Sequence, residues 1–133
     1  MSYAKGTKTE IGTTEQQIKN MLRKAGAEGT AFMEARDHAI VAFHLNDRAI
    51  KFRLPLPERG SRQFTHAVFG ARGSQPRSAA AADSAWVQAC RERWRQLHLC
   101  IKAKLESVQQ NIETFDDAFL AHIQMPDGET VGE

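Results

Sequence analysis

The side chains that could carry out chemistry in this chain are five histidines, two cysteines and a few clustered carboxylates. No CxxC, HxxxH or HExxH pattern supplies metal ligands at a usual spacing. Cys90 and His98 would lie about 12 Å apart along one helix, which is too far for a single ion. The adjacent Asp116 and Asp117 point in different directions and favour the positive end of a helix instead. We therefore predict no metal site, no cofactor and no catalytic centre, and expect a protein that is not an enzyme.

The basic residues give a stronger functional signal, because they are distributed unevenly. The chain carries 18 Lys and Arg against 16 Asp and Glu, which gives a net charge of +2. All the basic residues lie within 1–104, whereas the acidic segment 105–133 contains neither Lys nor Arg. A basic body with an acidic end favours a polyanionic partner or self-association of opposite charges, unless the charges mix in the folded chain.

Two segments hold the cations that we predict to contact nucleic-acid phosphates. The most basic segment is 48–77, and from Arg59 to Arg77 its arginines are interspersed with Gly and Ser, which gives either a flexible row of guanidinium groups that match phosphate geometry or a solvated connector. Lys51 and Arg53 on the third predicted strand form either a solvated surface or the edge of a binding face. In the helix predicted after it, cations recur on one side, which is either a phosphate-binding row or an ordinary solvated face. The predicted contacts are Lys51, Arg53, Arg59, Arg62, Arg72, Arg77, Arg91, Arg95 and Lys102.

The spacing of apolar residues predicts the elements that position these cations. Residues 1–12 are polar, and we expect a loose arm or a short edge strand. Apolar residues at helical spacing predict a first helix over 14–25, which Gly26 ends. Alternation of period two then predicts a three-stranded antiparallel meander. Its strands are 30–36, 38–46 and 48–54.

The prolines Pro55 and Pro57 end the third strand, because proline cannot donate a hydrogen bond to the ladder. Residues 58–82 are rich in Gly, Ser and Arg, which predicts a basic flexible loop. The middle of this loop, 63–69, contains two phenylalanines and a valine. We expect it to form either a fourth strand or a turn that docks on the core.

A long amphipathic helix is the clearest structural signal in the chain. Apolar residues recur about every 3.7 residues over 84–111, which predicts one continuous helix capped by Asp83 or Ser84. A short helix over 115–123 and an acidic tail over 124–133 follow it. The sequence thus predicts a single domain of the α+β class, with an N-terminal helix, a three-stranded meander, a basic loop, the long helix and a short C-terminal helix.

The length of the long helix raises the question of what covers its apolar stripe. At 1.5 Å per residue it measures about 40 Å, more than three short strands can cover. Either the C-terminal helix folds back onto the stripe, or a second copy forms a homodimer through the long helix. No apolar run approaches the ~20 residues that span a bilayer, so we expect no membrane contact. Cys90 and Cys100 lie ten residues apart in this predicted helix and cannot form a disulfide with each other there. Unpaired thiols are typical of the reducing cytoplasm, where we expect this protein.

Several motifs in the second half of the chain carry a family resemblance. They are RERWRQL at 91–97, IKAKLESV at 101–108, FLAHI at 119–123 and PDGETVG at 126–132, with KFRLPLP upstream at 51–57. With these motifs the chain resembles, from about Gly26 onward, a family of small phage- and prophage-encoded proteins of uncharacterised function. The resemblance implies a mobile-element origin and an intracellular life in the host cell, and it carries no catalytic residue.

These observations support one leading hypothesis and two rivals. The leading hypothesis is a non-enzymatic, phage-encoded accessory protein that binds DNA or RNA electrostatically, with weak sequence specificity. The first rival is a small protein that binds and modulates a host protein, through the exposed end of the long helix or through the acidic tail. The second rival is a structural or assembly factor of the phage particle.

Overall fold

The computed structural model describes residues 5–68 and 74–133 of the chain. It confirms an α+β fold with an N-terminal helix, a three-stranded antiparallel sheet, a long helix and a short C-terminal helix. The elements are α1 (Lys5–Lys24), β1 (Gly29–Glu34), β2 (His38–Leu45), β3 (Arg48–Pro55), α2 (Arg62–Thr65), β4 (His66–Val68), β5 (Ser74–Pro76), α3 (Ala79–Gln109), α4 (Phe115–Phe119) and a 3₁₀ turn (Leu120–His122). None of the helices in the described part is long and apolar enough to cross a membrane.

The three-stranded sheet has the order β1-β2-β3, and both pairs of neighbours are antiparallel. Asn46 and Asp47 connect β2 to β3 as a two-residue turn with φ of 51° and 59°, the left-handed conformation that suits the twist of a hairpin. This turn fixes the register in which Val41 lies opposite Phe52. Apolar side chains of β2 and β3 therefore share one buried face, as the alternation in the sequence predicts.

The first helix is longer than predicted: α1 begins at Lys5, whereas the sequence predicts a start near residue 14. The expectation of a loose arm or edge strand is wrong for residues 5–12, while residues 1–4 lie outside the described part. Ile11, Ile18 and Leu22 are all buried, and they continue one helical face that packs into the core. This packing stabilises a segment whose Gly and Thr residues have low helix propensity of their own.

The long helix α3 begins at Ala79, earlier than the predicted start near residue 84. Ser78 is its N-cap, and the Ser78 hydroxyl accepts a hydrogen bond of 3.2 Å from the backbone N–H of Ala81. The run of alanines that follows has high helix propensity, so the extra turn forms readily. The buried residues of α3 are Trp86, Val87, Cys90, Trp94, Leu97 and Ile101.

The segment predicted as a basic loop over 58–82 contains regular structure in its described part. It holds α2 and a small hairpin of β4 and β5, followed by the first turn of α3. The predicted fourth strand over 63–69 is corrected in part: 62–65 are helical, 66–68 form β4, and residue 69 lies outside the described part. Among the described strands, β4 pairs with β5 alone. Phe64 is buried in the common core, so the alternative of a docked segment holds there.

The two long helices lie side by side on the buried face of the sheet. Glu10 of α1 contacts Arg91 of α3, and farther along Lys24 lines the same groove as Lys102, so the two helices run in the same direction. The C-terminal helix α4 folds back toward α3 and buries Phe119 completely, which is the first of the two alternatives considered for the stripe. The apolar stripe of α3 is thus covered by α1, the sheet and α4 as far as Ile101.

Candidate nucleic-acid interface

The structure distributes the predicted phosphate contacts over separate surfaces and does not bring them into one cluster. Arg72 lies outside the described residues. We call the face of the three-stranded sheet that is opposite to the helices the open face. The three groups are Lys51 and Arg53 on the open face, Arg59, Arg62 and Arg77 between β3 and α3, and Arg91, Arg95 and Lys102 on α3.

On the open face, Lys51 is bound to the C-terminal segment of its own chain. Its Nζ donates a hydrogen bond of 3.2 Å to the carbonyl oxygen of Gly128 and lies 3.6 Å from Oε1 of Glu133. The side chain of Lys51 is only 19% exposed as a result. The neighbouring Arg53 has an exposed side chain and forms no ion pair with any described carboxylate.

The acidic tail is folded, and it holds one carboxylate beside these two cations. The backbone N–H of Gln124 donates to the carbonyl oxygen of Ala49 at 2.8 Å, which attaches the tail to the outer edge of β3. The Glu133 carboxylate accepts a hydrogen bond of 3.0 Å from the backbone N–H of Thr130. This hydrogen bond, together with Lys51 and Arg53, lowers the pKa of Glu133. An anion of the chain itself therefore lies at Lys51.

Arg59 lies against the beginning of α3 and does not extend freely into solvent. Its guanidinium donates to the carboxylate of Asp83 and lies 4.8 Å from the ring centroid of Trp86. The Trp86 indole N–H in turn donates to the carbonyl oxygen of Pro57 at 2.9 Å. These contacts attach the segment after β3 to α3, while the Arg59 side chain stays 52% exposed.

Arg77 and Arg62 belong to the same segment but have different surroundings. The Arg77 guanidinium donates to the carbonyl oxygen of Phe64 at 3.3 Å, which ties the strand before α3 to α2. Arg62 lies at the beginning of α2 and its side chain is exposed. The prediction of a row of solvated loop arginines therefore does not describe Arg59 and Arg77, both of which bond to neighbouring parts of the chain.

On α3, Arg91 joins the two long helices. Its guanidinium donates to the carboxylate of Glu10 on α1 and to the side-chain oxygen of Gln88 one turn earlier on α3. Arg91 is two-thirds shielded from solvent by these contacts. Arg91 therefore contributes to the packing of α1 on α3.

Arg95 and Lys102 are the predicted cations of α3 that stay available. Both side chains are exposed, and neither forms an ion pair with the carboxylates of the described residues. They lie seven residues apart, about 10 Å along the helix axis, on the side of α3 that faces α1. Lys24, in the last turn of α1, lines the same groove as Lys102. We call Lys24, Arg95 and Lys102 the α1–α3 cation row.

Lys24 was missed at the level of the sequence. It follows Arg23 at the end of the first helix, where a cation is expected simply from the negative end of the helix dipole. Only the parallel packing of α1 on α3 brings Lys24 close to the stripe of cations on α3. Two helices far apart in the sequence thus supply cations to one groove, which Glu106 of α3 also lines.

An apolar groove lies next to one end of the cation row. It has a volume of about 570 Å³ and is formed by the ends of α1 and α3 together with the β2–β3 turn and the beginning of α4. Its apolar lining residues are Met21, Ala25, Leu45, Leu105, Val108 and Phe115. Within the described residues, no group of three or more His, Cys, Asp or Glu side chains is placed to hold a metal ion.

Comparison of the chain with protein-family models, with curated proteins and with solved structures finds no match in any of the three.

Proposed function

We propose that this protein is a non-enzymatic accessory protein that binds nucleic acid through the α1–α3 cation row. The observation that carries the proposal is that Arg95 and Lys102 are exposed, lie on the side of α3 that faces α1 and have no ion-pair partner among the described residues. A cation that is already paired within the protein gains little free energy by binding a phosphate. An unpaired cation displaces counterions from the phosphate, and their release favours binding. The origin in a phage or prophage that the sequence resemblance implies is compatible with such a role.

The structure of the row also supports the weak sequence specificity proposed for this interaction. Both Lys102 and Lys24 end in ammonium groups, which recognise phosphates as point charges, and Arg95 adds a guanidinium group that can bind two phosphate oxygens. Contacts to phosphates position a protein on nucleic acid without reading its sequence. Arg53 and Arg62 are exposed on other surfaces and would add general attraction at long range.

The test compares two double variants that remove the same amount of charge. Arg95→Gln with Lys102→Gln removes two cations of the row, and Arg59→Gln with Arg77→Gln removes two internally bonded arginines, so each lowers the net charge from +2 to 0. Binding to single- and double-stranded DNA and RNA is measured as a function of salt. The first variant should reduce the slope of log K against log salt by about 2, because each lost phosphate contact removes about one unit.

The second double variant should keep the slope of the wild type, provided that circular dichroism shows an intact fold. Equal losses in the two variants would show that net charge alone attracts the ligand and that the row is not the site. Absence of binding by the wild-type protein at low salt would refute the proposed function as a whole. An ultraviolet absorbance ratio typical of bound nucleic acid in the purified protein would support it.

A second candidate function, binding and modulation of a host protein, is favoured by the apolar groove. The groove adjoins Ile112, whose side chain is 77% exposed just after the end of α3. Exposed apolar side chains beside a groove are common where a protein partner binds. Replacing Ile112 by Asp should then abolish binding to that partner while the salt-dependent affinity for nucleic acid stays unchanged.

A further inference from the structure

The outer edge of β1 has free backbone hydrogen-bonding groups. The backbone N–H of Ala35 donates to the carbonyl oxygen of His38 at 2.8 Å and closes the ladder between β1 and β2. Because bonded pairs alternate along an antiparallel ladder, Met33 and Ala31 direct their backbone groups toward β2. The backbone groups that point outward belong to Thr30, Phe32 and Glu34. No group of the described residues bonds to them.

The two edges of the sheet are treated differently by the chain. The edge of β3 is covered where Gln124 bonds to Ala49 and Ile123 bridges to Ile50. β1 has no comparable cover from the described residues, and it contains neither a proline nor a lysine, the residues that commonly protect an edge strand. On the open face it also presents Met33, which is 48% exposed.

We propose that β1 pairs in antiparallel fashion with the β1 of a second copy of this chain, around a two-fold axis at Phe32. In this register Phe32 lies opposite the partner's Phe32, and Ala31 lies opposite the partner's Met33. Thr30 then lies opposite the partner's Glu34. The three outward-pointing residues of each copy form about six backbone hydrogen bonds, which join two three-stranded sheets into one of six strands.

The charges on β1 and just before it disfavour one of the two neighbouring registers. A two-fold axis at Ala31 would place Glu34 opposite the partner's Glu28, and like charges directly opposite each other destabilise a strand pair. A second copy is the occupant that the strand itself specifies, because one six-residue segment supplies both halves of a self-complementary contact. The contact uses a different surface from the α1–α3 cation row and does not depend on nucleic-acid binding.

The first experiment measures the mass of the protein by light scattering across a range of concentrations, for the wild type and two variants. Thr30→Pro removes an outward N–H without breaking a bond to β2, whereas Thr30→Val keeps that N–H. We expect a dimer for the wild type and for Thr30→Val, and a folded monomer for Thr30→Pro. A wild-type protein that is monomeric at every concentration would overturn the proposal.

The second experiment tests the register and does not require the proline variant to fold. In a Cys100→Ser background, which leaves only the buried Cys90, Ala31→Cys and Met33→Cys proteins are oxidised separately and after mixing. Opposed residues of this kind lie about 4.5 Å apart between Cα atoms, within disulfide range. The proposed register predicts a cross-linked dimer only in the mixture. Cross-linking of Ala31→Cys alone, or no cross-linking in any sample, would contradict it.

Discussion

The Nζ of Lys51 lies 3.6 Å from Oε1 of Glu133, so the acidic end of the chain contacts the open face of the sheet. In the sequence these two residues belong to the basic body and to the acidic tail, which predicts two charges that are available to other molecules. In the folded chain the two side chains form an ion pair with each other. A polyanion that used Lys51 would have to displace an anion that the protein itself supplies.

Neutralising the tail tests this relationship without removing the backbone that pairs with β3. A triple variant with Asp127→Asn, Glu129→Gln and Glu133→Gln raises the net charge from +2 to +5. The amide side chains keep hydrogen-bond acceptors, such as the one that Asp127 offers to the N–H of Glu129. We expect tighter binding to nucleic acid at low salt and a salt slope steeper by about 1, because Lys51 becomes available for one more phosphate.

The control for this experiment carries the same change in net charge at three exposed acids outside the tail. The control substitutions are Glu28→Gln, Asp47→Asn and Glu58→Gln. If release of Lys51 matters, the tail variant gains more affinity than the control does. Equal gains in both variants would contradict a specific role of the tail, since they would reflect only the overall charge.

The two tryptophans of α3 should respond differently to loss of the indole N–H. Trp86 and Trp94 are both 1% exposed, but only the indole N–H of Trp86 has a partner among the described residues, the carbonyl oxygen of Pro57. Replacement by Phe removes apolar contacts at either position, and at Trp86 it also removes a hydrogen bond. We expect Trp86→Phe to lower the free energy of unfolding by about 1 kcal/mol more than Trp94→Phe does.

Urea denaturation of both variants measures this difference in the free energy of unfolding. The variant Trp94→Ala is measured beside them as a reference with a larger loss of stability. Trp94 stacks near Phe32 with ring centroids 6.4 Å apart, and its removal should cost about 3–5 kcal/mol, because a cavity is left in the core. A Trp94→Phe protein that is less stable than the Trp86→Phe protein would show that the N–H of Trp94 has a partner in solution.

His122 is expected to make stability depend on pH. Its ring stacks on Phe52 with centroids 3.9 Å apart, and burial together with the nearby Lys104 lowers the pKa of His122 below the ordinary value of 6.5. The unfolded chain then binds a proton at a higher pH than the folded chain does. Stability is therefore fully present above 6.5 and falls as the pH decreases from there through the lowered folded pKa.

The variant His122→Phe keeps a ring on Phe52 and cannot be protonated. Its melting temperature should fall less than that of the wild type between about pH 7.5 and about pH 5.5. The exposed His44, changed in the same way, provides the control for loss of one imidazole from the chain. If His122→Phe and the wild type lose the same number of degrees over this range, another group is responsible for the pH dependence.

The sequence predicted those elements whose formation depends on local pattern. Alternation in β2 and β3, with Asn46 and Asp47 at a tight turn, favours the register that places Val41 opposite Phe52 on the buried face. The stripe along α3 likewise identified a helix whose Trp86 and Trp94 are buried. The helix starts were predicted less well, because α1 from Lys5 is stabilised by packing on α3, a contact between distant parts of the chain.

The candidate site was determined mainly by the tertiary structure. The sequence by itself determined which residues are cations and which side of α3 they occupy. It could not determine that Arg59, Arg77 and Arg91 are bonded internally while Arg95 and Lys102 stay exposed. Ion pairs form between groups that folding brings within about 4 Å, and no local pattern encodes the distance between residues on different elements.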